Sequence, residues 1–450
     1  MLIPKLMNSL GHSGVVPCPV CININKDGRG QDMLPLTNLE CHRWVLHTDK
    51  SVRDLQGHLR EQKGLLGKTA YHDFETSQGY HYNARAIINH ETLAYKAIST
   101  LMSDWPHIYF ITGLYKREVD AFVDLARTNT PRHLKAVFGF GDMAEYFHQW
   151  TWPARWMSCR RIYDNDKLAA CASEQLSSVG VLGKLFRDIV LAEPAFEFYH
   201  RAARSMIALC DAIELLQCAS RKLVGHQELH NGIMQHLRLH LEVYGDEHWA
   251  FKHHQAAHIA LMYKLIGHLF DTLVTERKHK EPKRFAMSRV SRIGYEKGLM
   301  EEITLQHLHN WRAWRIASLK NAHALPKTME MQLEELFPNA DSILVSVEYV
   351  SLSGMKFHRG DVAILGHKHE RVCGEIWYHF DVDGVLWSCL SIWPLVRLDG
   401  DRYATHSVCD NPRCVPASDL LDLVTFRKSG RTATVILPLA YRIAMKTDAR

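Results

Sequence analysis

The sequence has no apolar run long enough to cross a bilayer and no strong excess of charge of either sign. Its 54 basic and 49 acidic residues leave a net charge of +5 on 450 residues, too little by itself to indicate a nucleic-acid partner. Internal repeats, low-complexity tracts and heptad patterns are also missing. Because 46% of the residues are hydrophobic, we expect a globular chain with roughly two to four domains.

The first residues lack the apolar core of a secretory signal, since residues 1–5 lead directly into Asn8 and Ser9. The 11 cysteines are therefore expected in a reducing compartment, the cytosol or the nucleus, where disulfides are rare. In such a compartment, paired cysteines indicate either metal ligands or plain buried thiols.

Hydrophobic periodicity divides the chain into a mixed, a helical and a strand-rich part. Residues 106–112 are rich in aromatic and β-branched side chains and predict a buried strand that ends at Gly113. Residues 132–273 show helical spacing, and so do residues 290–319. After Pro338 the pattern changes to short strand candidates, which predict a separate all-β domain that forms a barrel or a compact sandwich. Asp383-Gly384 and Asp399-Gly400 are predicted hairpin turns of this domain.

Cys18 and Cys21 form a Cys-x-x-Cys knuckle, which presents two thiolates to one tetrahedral zinc ion. A buried structural pair and a redox dithiol are the alternatives. The remaining zinc ligands could be local or distant, and spacing alone does not choose between these sets. The local candidates are Cys41, His42 and His47, and the distant candidates are His258 with His253 or His254.

His254 and His258 are four residues apart and so share one face of a helix. Glu276 follows His258 by eighteen residues, or five helical turns, so an unbroken helix would present it on the same face. The alternative is an amphipathic helix with a histidine-rich polar side, because such histidine pairs often arise by accident.

A basic run follows Glu276, with Glu281 as its single acid up to Arg292. It either contacts a phosphate backbone or forms a solvated helix end. The candidate DNA-binding residues are Arg277, Lys278, Lys280, Lys283 and Arg284.

Asp104 and His107 lie at the entrance to the predicted buried strand, just before its residues 108–112. Active sites often lie at strand ends, although an isolated aspartate at such a position is more often a turn or cap residue.

The order of these motifs resembles that of the CACTA (En/Spm-like) group of cut-and-paste DDE transposases. The resemblance rests on Cys18-x-x-Cys21, Asp104-x-x-His107, a long helical insertion, His254-x3-His258 (or His253-x4-His258) and Glu276. The amino-acid sequence also resembles that of transposon-derived proteins of the kind abundant in dinoflagellate algae. This resemblance lies in residues 11–21, 171–174, 249–254 and 276–280. The resemblance covers about residues 10–440.

The resemblance implies an α/β RNase H-like core, truncated and interrupted by a mainly helical insertion, followed by a small β-barrel-like domain. The N-terminal part of the core, with the knuckle, would occupy residues 1–130 and the insertion residues 131–270. Returning core helices would occupy residues 271–325, and the all-β domain residues 340–445.

For chemistry, the resemblance implies carboxylates that hold Mg²⁺ or Mn²⁺ for phosphodiester cleavage and strand transfer. Asp104 matches the second carboxylate of that set and Glu276 the third. Cys18, Cys21, His258 and either His253 or His254 match a structural zinc site. The implied partner is DNA, in the nucleus or alternatively the cytoplasm, with no membrane contact and with homo-oligomerisation left open.

One departure concerns the first carboxylate of that family, which precedes the knuckle. Residues 1–17 contain no Asp or Glu, and the first acid is Asp27. The catalytic set is therefore expected to be incomplete, and the chain to be of transposase ancestry but inactive as a nuclease. The alternative hypotheses are a non-catalytic, zinc-stabilised DNA- or chromatin-binding protein and a protein that serves only as a protein-binding surface.

Overall fold

A computed structural model describes most of the chain in ten stretches. These are residues 9–90, 95–129, 140–153, 170–269, 317–324, 335–352, 354–366, 372–400, 402–410 and 412–437, with residues 93, 163–164, 167–168, 300–302, 304–305, 308 and 333 between them. The chain divides into two compact units. Unit 1 comprises Met1–Ala136 and Leu182–Thr272, and unit 2 comprises Val137–Val181 and Leu273–Arg450. Residues 137–181, which fall within the predicted helical insertion, thus group with unit 2.

The described α-helices concentrate in the first two thirds of the chain. In chain order they are α1 (Asp49–Leu65), α2 (Lys68–Gln78), α3 (Trp105–Tyr109), α4 (Leu114–Asn129), α5 (Phe140–His148), α6 (Ala172–Leu185), α7 (His200–Ser220), α8 (His226–Tyr244) and α9 (Phe251–Ile266). Within the described ranges, no helix is both long enough and apolar enough to cross a membrane.

The ends of these helices have local causes. Thr48 caps α1 by accepting a hydrogen bond from the Ser51 backbone N–H, and the Ser51 hydroxyl accepts one from the Thr48 backbone N–H. The α9 helix ends at Gly267, which has a left-handed φ of 73°. An unbroken helix from His258 to Glu276, the condition for a shared face, is therefore excluded. Glu276 itself lies outside the described residues.

The core of unit 1 is built by α7, α8 and α9. The α7 helix packs against α8, and α8 packs against α9. Apolar residues of α7 such as Leu209 and Ile213 are fully buried, as is Leu237 of α8. These positions recur at helical spacing, so burial of one apolar face holds the three helices together.

The strand predicted for residues 106–112 is wrong, because this segment forms helix α3. Pro106 lies in the first turn of α3, where its missing N–H costs nothing. Trp105, Ile108 and Tyr109 are spaced by three and four residues and are all buried. Helical burial of this face therefore outweighs the β-propensity of the side chains.

Strands are scarce in the described part of residues 9–129, where β1 (Ile24–Asn25) pairs in parallel with β2 (Leu34–Pro35). The mixture of helices with antiparallel sheets elsewhere shows a mixed α and β protein. The RNase H-like core stays a prediction.

Unit 2 contains the remaining strands. They are β3 (Tyr163–Asp164), β4 (Lys167–Leu168), β5 (Ser318–Lys320), β6 (His323–Ala324), β7 (Ile343–Ser346), β8 (Glu348–Val350), β9 (Lys356–His358), β10 (Val362–Leu365), β11 (Cys373–Val382), β12 (Val385–Trp393), β13 (Leu395–Asp399), β14 (Tyr403–Ser407), β15 (Pro412–Pro416), β16 (Leu420–Val424), β17 (Phe426–Ser429) and β18 (Thr432–Ile436).

The largest sheet of unit 2 has seven antiparallel strands. Its main order is β15-β12-β11-β10-β16, and β7 also pairs with β11 while β6 pairs with β7. A second sheet has the order β13-β14-β18-β17, and a third has the order β5-β8-β9. All three orders are open, so the described strands do not close into a barrel.

Two hairpins of unit 2 lie where the sequence predicts them. Asp383 and Gly384 join β11 to β12, and both have a positive φ, as a tight hairpin turn requires. Asp399 is the last residue of β13, which pairs with β14, and Gly400 follows it with a positive φ. Both predicted turns are confirmed.

The two faces of strand β10 contribute to two different hydrophobic cores. Val362 and Ile364 share a core with Ala433 and Val435 of the second sheet. The alternate residues Ala363 and Leu365 belong to a different core, which includes Tyr349 and Phe357 of the third sheet. Because side chains alternate along a strand, the seven-stranded sheet is covered on both faces in the manner of a sandwich.

Candidate metal centre

The Cys-x-x-Cys knuckle is held by backbone contacts on both sides. The Val20 N–H points at the Cys18 sulfur at 3.4 Å. The His47 N–H donates to the Val20 carbonyl and the Ile22 N–H to the Val45 carbonyl, both at 2.8 Å. These contacts turn both thiols inward, and Cys18 and Cys21 are buried.

Helix α9 supplies two imidazoles to the same place. His254 and His258 lie one turn apart on one face of α9, and both are buried. His253 does not join them, because its Nδ1 accepts a hydrogen bond from the Ala250 N–H at 2.9 Å and so caps the helix. The choice that the sequence left open between His253 and His254 is therefore decided by the start of the helix.

The four side chains Cys18, Cys21, His254 and His258 form one group, called here the Cys/His group. Each offers a ligand atom, and these atoms all lie within 4.8 Å of one another. The Cys21 sulfur lies 3.6 Å from the His254 Nε2 and 3.2 Å from the His258 Nε2. The Cys18 sulfur lies 3.5 Å from the His258 Nε2.

These distances can be compared with those of a tetrahedral zinc site. Usual zinc–ligand bond lengths place a sulfur and a nitrogen ligand about 3.6 Å apart and two nitrogens about 3.3 Å apart. In the Cys/His group, the Nε2 atoms of His254 and His258 are 3.0 Å apart. The donor set and its spacing therefore fit an ion such as zinc, and the group could hold one.

The electrostatics of the group favour a thiolate at Cys18 and a neutral ring at His254, but a protonated thiol at Cys21. Burial raises the pKa of the Cys18 thiol, but the hydrogen bond from Cys21 and the nearby imidazoles act the other way and hold it well below its ordinary value. Burial lowers the pKa of His254, which keeps its ring neutral. The hydrogen bond to Cys18 and burial together raise the pKa of Cys21. A bound metal ion would displace the proton of the Cys21 thiol.

Aromatic side chains close the group from outside. The Trp44 ring lies 5.0 Å from the His254 ring and 4.9 Å from the His258 ring, measured between centroids. Tyr80 is fully buried and donates from its hydroxyl to the Pro19 carbonyl at 3.0 Å. The group is therefore shielded from water, as structural metal sites are.

The local ligand candidates do not complete the group. His47 instead pairs through its Nδ1 with the Ser51 hydroxyl at 3.1 Å. The Cys41 sulfur lies 3.7 Å from the Leu39 carbonyl. Neither Cys41, His42 nor His47 is a member of the buried group.

Asp104 lies immediately before helix α3, and its carboxylate bonds the Nδ1 of His107. The Lys252 ammonium of α9 donates to the His107 carbonyl at 2.9 Å and to the Ile111 carbonyl, so α9 is tied to the end of α3. Asp104 thus occupies a cap position instead of a strand end. Its predicted catalytic partner Glu276 and the basic residues Arg277, Lys278, Lys280, Lys283 and Arg284 lie outside the described residues.

The structure contains a second buried polar group that the sequence patterns did not predict. It consists of Glu118 on α4 with His236 and His240 on α8, and its ligand atoms also lie within 4.8 Å of one another. The signal was present, because His236-x3-His240 repeats the spacing of His254-x3-His258. No sequence motif marked Glu118, whose place depends on how α4 packs.

No protein-family model matches the chain, and comparison with curated proteins and with solved structures gives no significant match. The chemistry of the Cys/His group therefore rests on its own donors and distances.

Proposed function

We propose that this chain is a zinc-stabilised DNA-binding protein of DDE-transposase descent. The observation that carries the proposal is the Cys/His group, in which Cys21 and His254 meet although they are 233 residues apart. This is the ligand set that the resemblance to CACTA transposases implies. A local Cys and His set would not have distinguished that ancestry from any small zinc knuckle.

Zinc is the ion that the donor set favours. Two thiolates and two neutral imidazoles in a closed tetrahedral arrangement are typical of structural zinc and unsuited to magnesium or calcium, which prefer oxygen ligands. Zinc here would join the knuckle to helix α9 and so close a long loop of chain. Its role is to hold unit 1 together.

DNA is the proposed partner because of the basic run after Glu276. Five cations within eight residues, Arg277 to Arg284, offer contacts to a phosphate backbone. The proposal includes a nuclear location, since the chain would act on chromosomal DNA. The β domain and any homo-oligomer have no assigned role in it.

The RNase H-like core and its chemistry belong to the ancestral part of the proposal. In that scheme Asp104 and Glu276 would hold Mg²⁺ or Mn²⁺ for phosphodiester cleavage. The pairing of the Asp104 carboxylate with His107 in the first turn of a helix favours a structural role for this residue. We therefore propose that DNA binding persists and that cleavage does not.

The proposal is tested by titrating labelled duplex DNA with the zinc-loaded chain between about 50 and 200 mM salt. Changing the five basic residues of the run to Gln should make the negative slope of log K, the logarithm of the binding constant, against log salt shallower by about four. A matched variant removes five exposed cations around α1 instead: Lys50, Arg53, Arg60, Lys63 and Lys68. That control should keep the slope of the unmodified chain, and equal slopes for both variants would refute DNA contact by the run.

A nicking assay on supercoiled DNA separates binding from catalysis. We expect no cleavage in Mg²⁺ or Mn²⁺ at protein concentrations that saturate the DNA. Robust nicking that Glu276→Gln abolishes would overturn the non-catalytic part of the proposal and restore the transposase as an enzyme.

A further inference from the structure

Glu118 is a carboxylate without access to water. It lies on α4 in unit 1, and its side chain is 0% exposed. His236 and His240 lie one turn apart on α8 and are also 0% exposed. Burying a carboxylate is costly unless a positive charge and hydrogen bonds compensate for the lost water. Something in this group must supply that charge.

The two imidazoles converge on a single carboxylate oxygen. The His236 Nε2 lies 2.6 Å and the His240 Nδ1 lies 3.3 Å from the Glu118 Oε2. The Ser205 hydroxyl donates to the other oxygen, Oε1, at 2.5 Å. The carboxylate is thus oriented by α7 on one side while both ring nitrogens face it on the other.

The second nitrogens of these rings, His236 Nδ1 and His240 Nε2, are buried without a hydrogen-bond partner among the described atoms. They are left with unpaired N–H groups whether a ring is protonated or bound to a metal ion, so they do not distinguish the two sources of charge. The observation that favours a cation is the convergence of both facing nitrogens on one carboxylate oxygen, where a single divalent ion would bind all three groups.

The Cys/His group also contains two histidines of one helix, although both of its rings direct Nε2 inward, whereas His236 directs Nε2 and His240 directs Nδ1. His254 and His258 direct Nε2 into their group and leave Nδ1 buried and unpaired among the described atoms. His236 and His240 likewise direct one nitrogen each into the group and leave the other unpaired. The helical spacing of the two pairs is also identical, since the histidines of each pair are four positions apart.

Two tyrosine hydroxyls lie around the second group. Tyr109 and Tyr244 are buried, and neither hydroxyl has a hydrogen-bond partner among the described atoms. Burial and the charge of Glu118 raise the pKa of both hydroxyls. Both hydroxyls are therefore near enough to Glu118 to experience its charge, and they add unpaired polar groups to the surroundings of the site.

We propose that Glu118, His236 and His240 form a second divalent metal site, separate from the Cys/His group. One carboxylate and two imidazoles favour a first-row ion such as Zn²⁺ or Co²⁺ over calcium or magnesium. The distance of 3.3 Å from His240 Nδ1 to Glu118 Oε2 suits two ligands of one ion, while the contact of 2.6 Å at His236 must open by less than 1 Å. Because all three side chains are buried, the site is closed to water and has a structural role.

The second site would strengthen unit 1 where α4, α7 and α8 meet. It is also close to the first, because the His240 ring lies against the His253 ring with centroids 4.4 Å apart, and His253 precedes the ligand His254. One helix, α9, therefore lies against both groups. The proposal does not depend on DNA binding or on transposase descent.

Cobalt titration of the metal-free full-length chain tests the proposal, because the two sites have different spectra. Cobalt in the Cys/His group gives a thiolate-to-metal charge-transfer band, whereas cobalt bound by nitrogen and oxygen gives only weak visible bands. We expect two equivalents, one with the charge-transfer band and one without. A single equivalent with that band would refute the second site and leave the first intact.

Variants assign the second equivalent to residues. Glu118→Gln should bind one equivalent and retain the charge-transfer band, while the matched control His230→Gln, on the same helix α8 but only half-buried, should bind two. A second equivalent that survives Glu118→Gln would contradict the assignment.

Ser205→Ala provides an independent test if Glu118→Gln fails to fold. It removes the hydroxyl that orients the carboxylate but no ligand, so the second equivalent should bind roughly 10- to 100-fold more weakly and the first should be unchanged. An unchanged second affinity would count against the site.

Discussion

At the scale of single residues, hydrogen bonds and ring contacts decide which of several neighbouring cysteines and histidines join the Cys/His group. His253 and His254 are adjacent, yet only His254 joins the Cys/His group, because the Nδ1 of His253 accepts a hydrogen bond from the Ala250 N–H at the start of α9. Cys41 and His47 are close in sequence to the knuckle but have other partners. Ligand choice thus depends on which side chains face the thiols, and the His253 ring lies against His240 and Trp249 instead.

Cys21→Ser should abolish metal binding at the Cys/His group and lower the free energy of unfolding of unit 1 by on the order of several kcal/mol. The reason is that a serine hydroxyl does not replace a thiolate as a zinc ligand. Cobalt absorption and thermal unfolding measure both effects. Cys41→Ser is the matched control, and loss of the thiolate band in that variant would show that the ligand set is different.

His379 on β11 predicts a pH dependence of unit 2. Burial lowers its pKa to about 4, and its Nδ1 is 2.7 Å from the Ser388 hydroxyl. Since an unfolded histidine titrates near about 6.5, the unfolded state binds more protons between these values. The free energy of unfolding should therefore fall as the pH falls from about 6.5 to 4, by up to about 3 kcal/mol from this residue.

Denaturant unfolding of unit 2 at several pH values measures this loss. His379→Gln keeps a hydrogen-bonding group but cannot be protonated in this range. Its free energy of unfolding should therefore fall less between about pH 6.5 and 4, by up to about 3 kcal/mol. Parallel curves for the two proteins would mean that His379 does not titrate differently on folding.

At the scale of elements, a close backbone approach positions the knuckle. Gly79 ends α2 with a left-handed φ of 71°, and a Cβ there would lie 2.1 Å from the Val16 carbonyl oxygen. The Leu10 N–H donates to the Gly79 carbonyl at 2.8 Å, and the Val15 N–H donates to the Thr76 carbonyl at 3.0 Å. The end of α2 therefore holds the segment that leads into Cys18.

Gly79→Ala should weaken zinc binding as well as stability, since it strains the backbone and pushes the segment before Cys18 away from α2. Gly267→Ala is a matched control, because Gly267 has the similar φ of 73° but open space around its Cβ position. The control should cost about 1 kcal/mol and leave zinc affinity unchanged. Zinc competition with a chelating dye compares the two, and equal affinities would contradict the positioning role.

At the scale of the whole molecule, two units have different sources of stability. Unit 1 contains both buried polar groups, with helices α7, α8 and α9 at its core. Unit 2 is held by apolar cores between antiparallel sheets, in which Trp393 and Phe426 pack edge to face. Dependence on metal should therefore be confined to unit 1.

Hydrogen exchange with and without a strong chelator measures this difference. Chelation should increase exchange in α9 and in the segment around the knuckle, because zinc binding contributes to folding free energy there. Amides of β11 and β12 should keep their protection. Equal loss of protection in both units would show that their stabilities are not separate.

The sequence by itself determined the features that depend on local spacing. The knuckle Cys18-x-x-Cys21, the shared face of His254 and His258 and the hairpin at Asp383-Gly384 all follow from backbone geometry over a few residues. Each could be predicted because its physical cause lies within one turn of helix or one tight turn.

Only the tertiary structure decided which of these local features meet. The knuckle joins α9, 233 residues away, because burial in unit 1 brings the thiols and imidazoles to one enclosed place. Residues 106–112 became helix α3 because Trp105, Ile108 and Tyr109 bury one helical face, against the β-propensity of the segment. Glu118 and His236 meet only through packing between helices, and no spacing along the chain encodes such a contact.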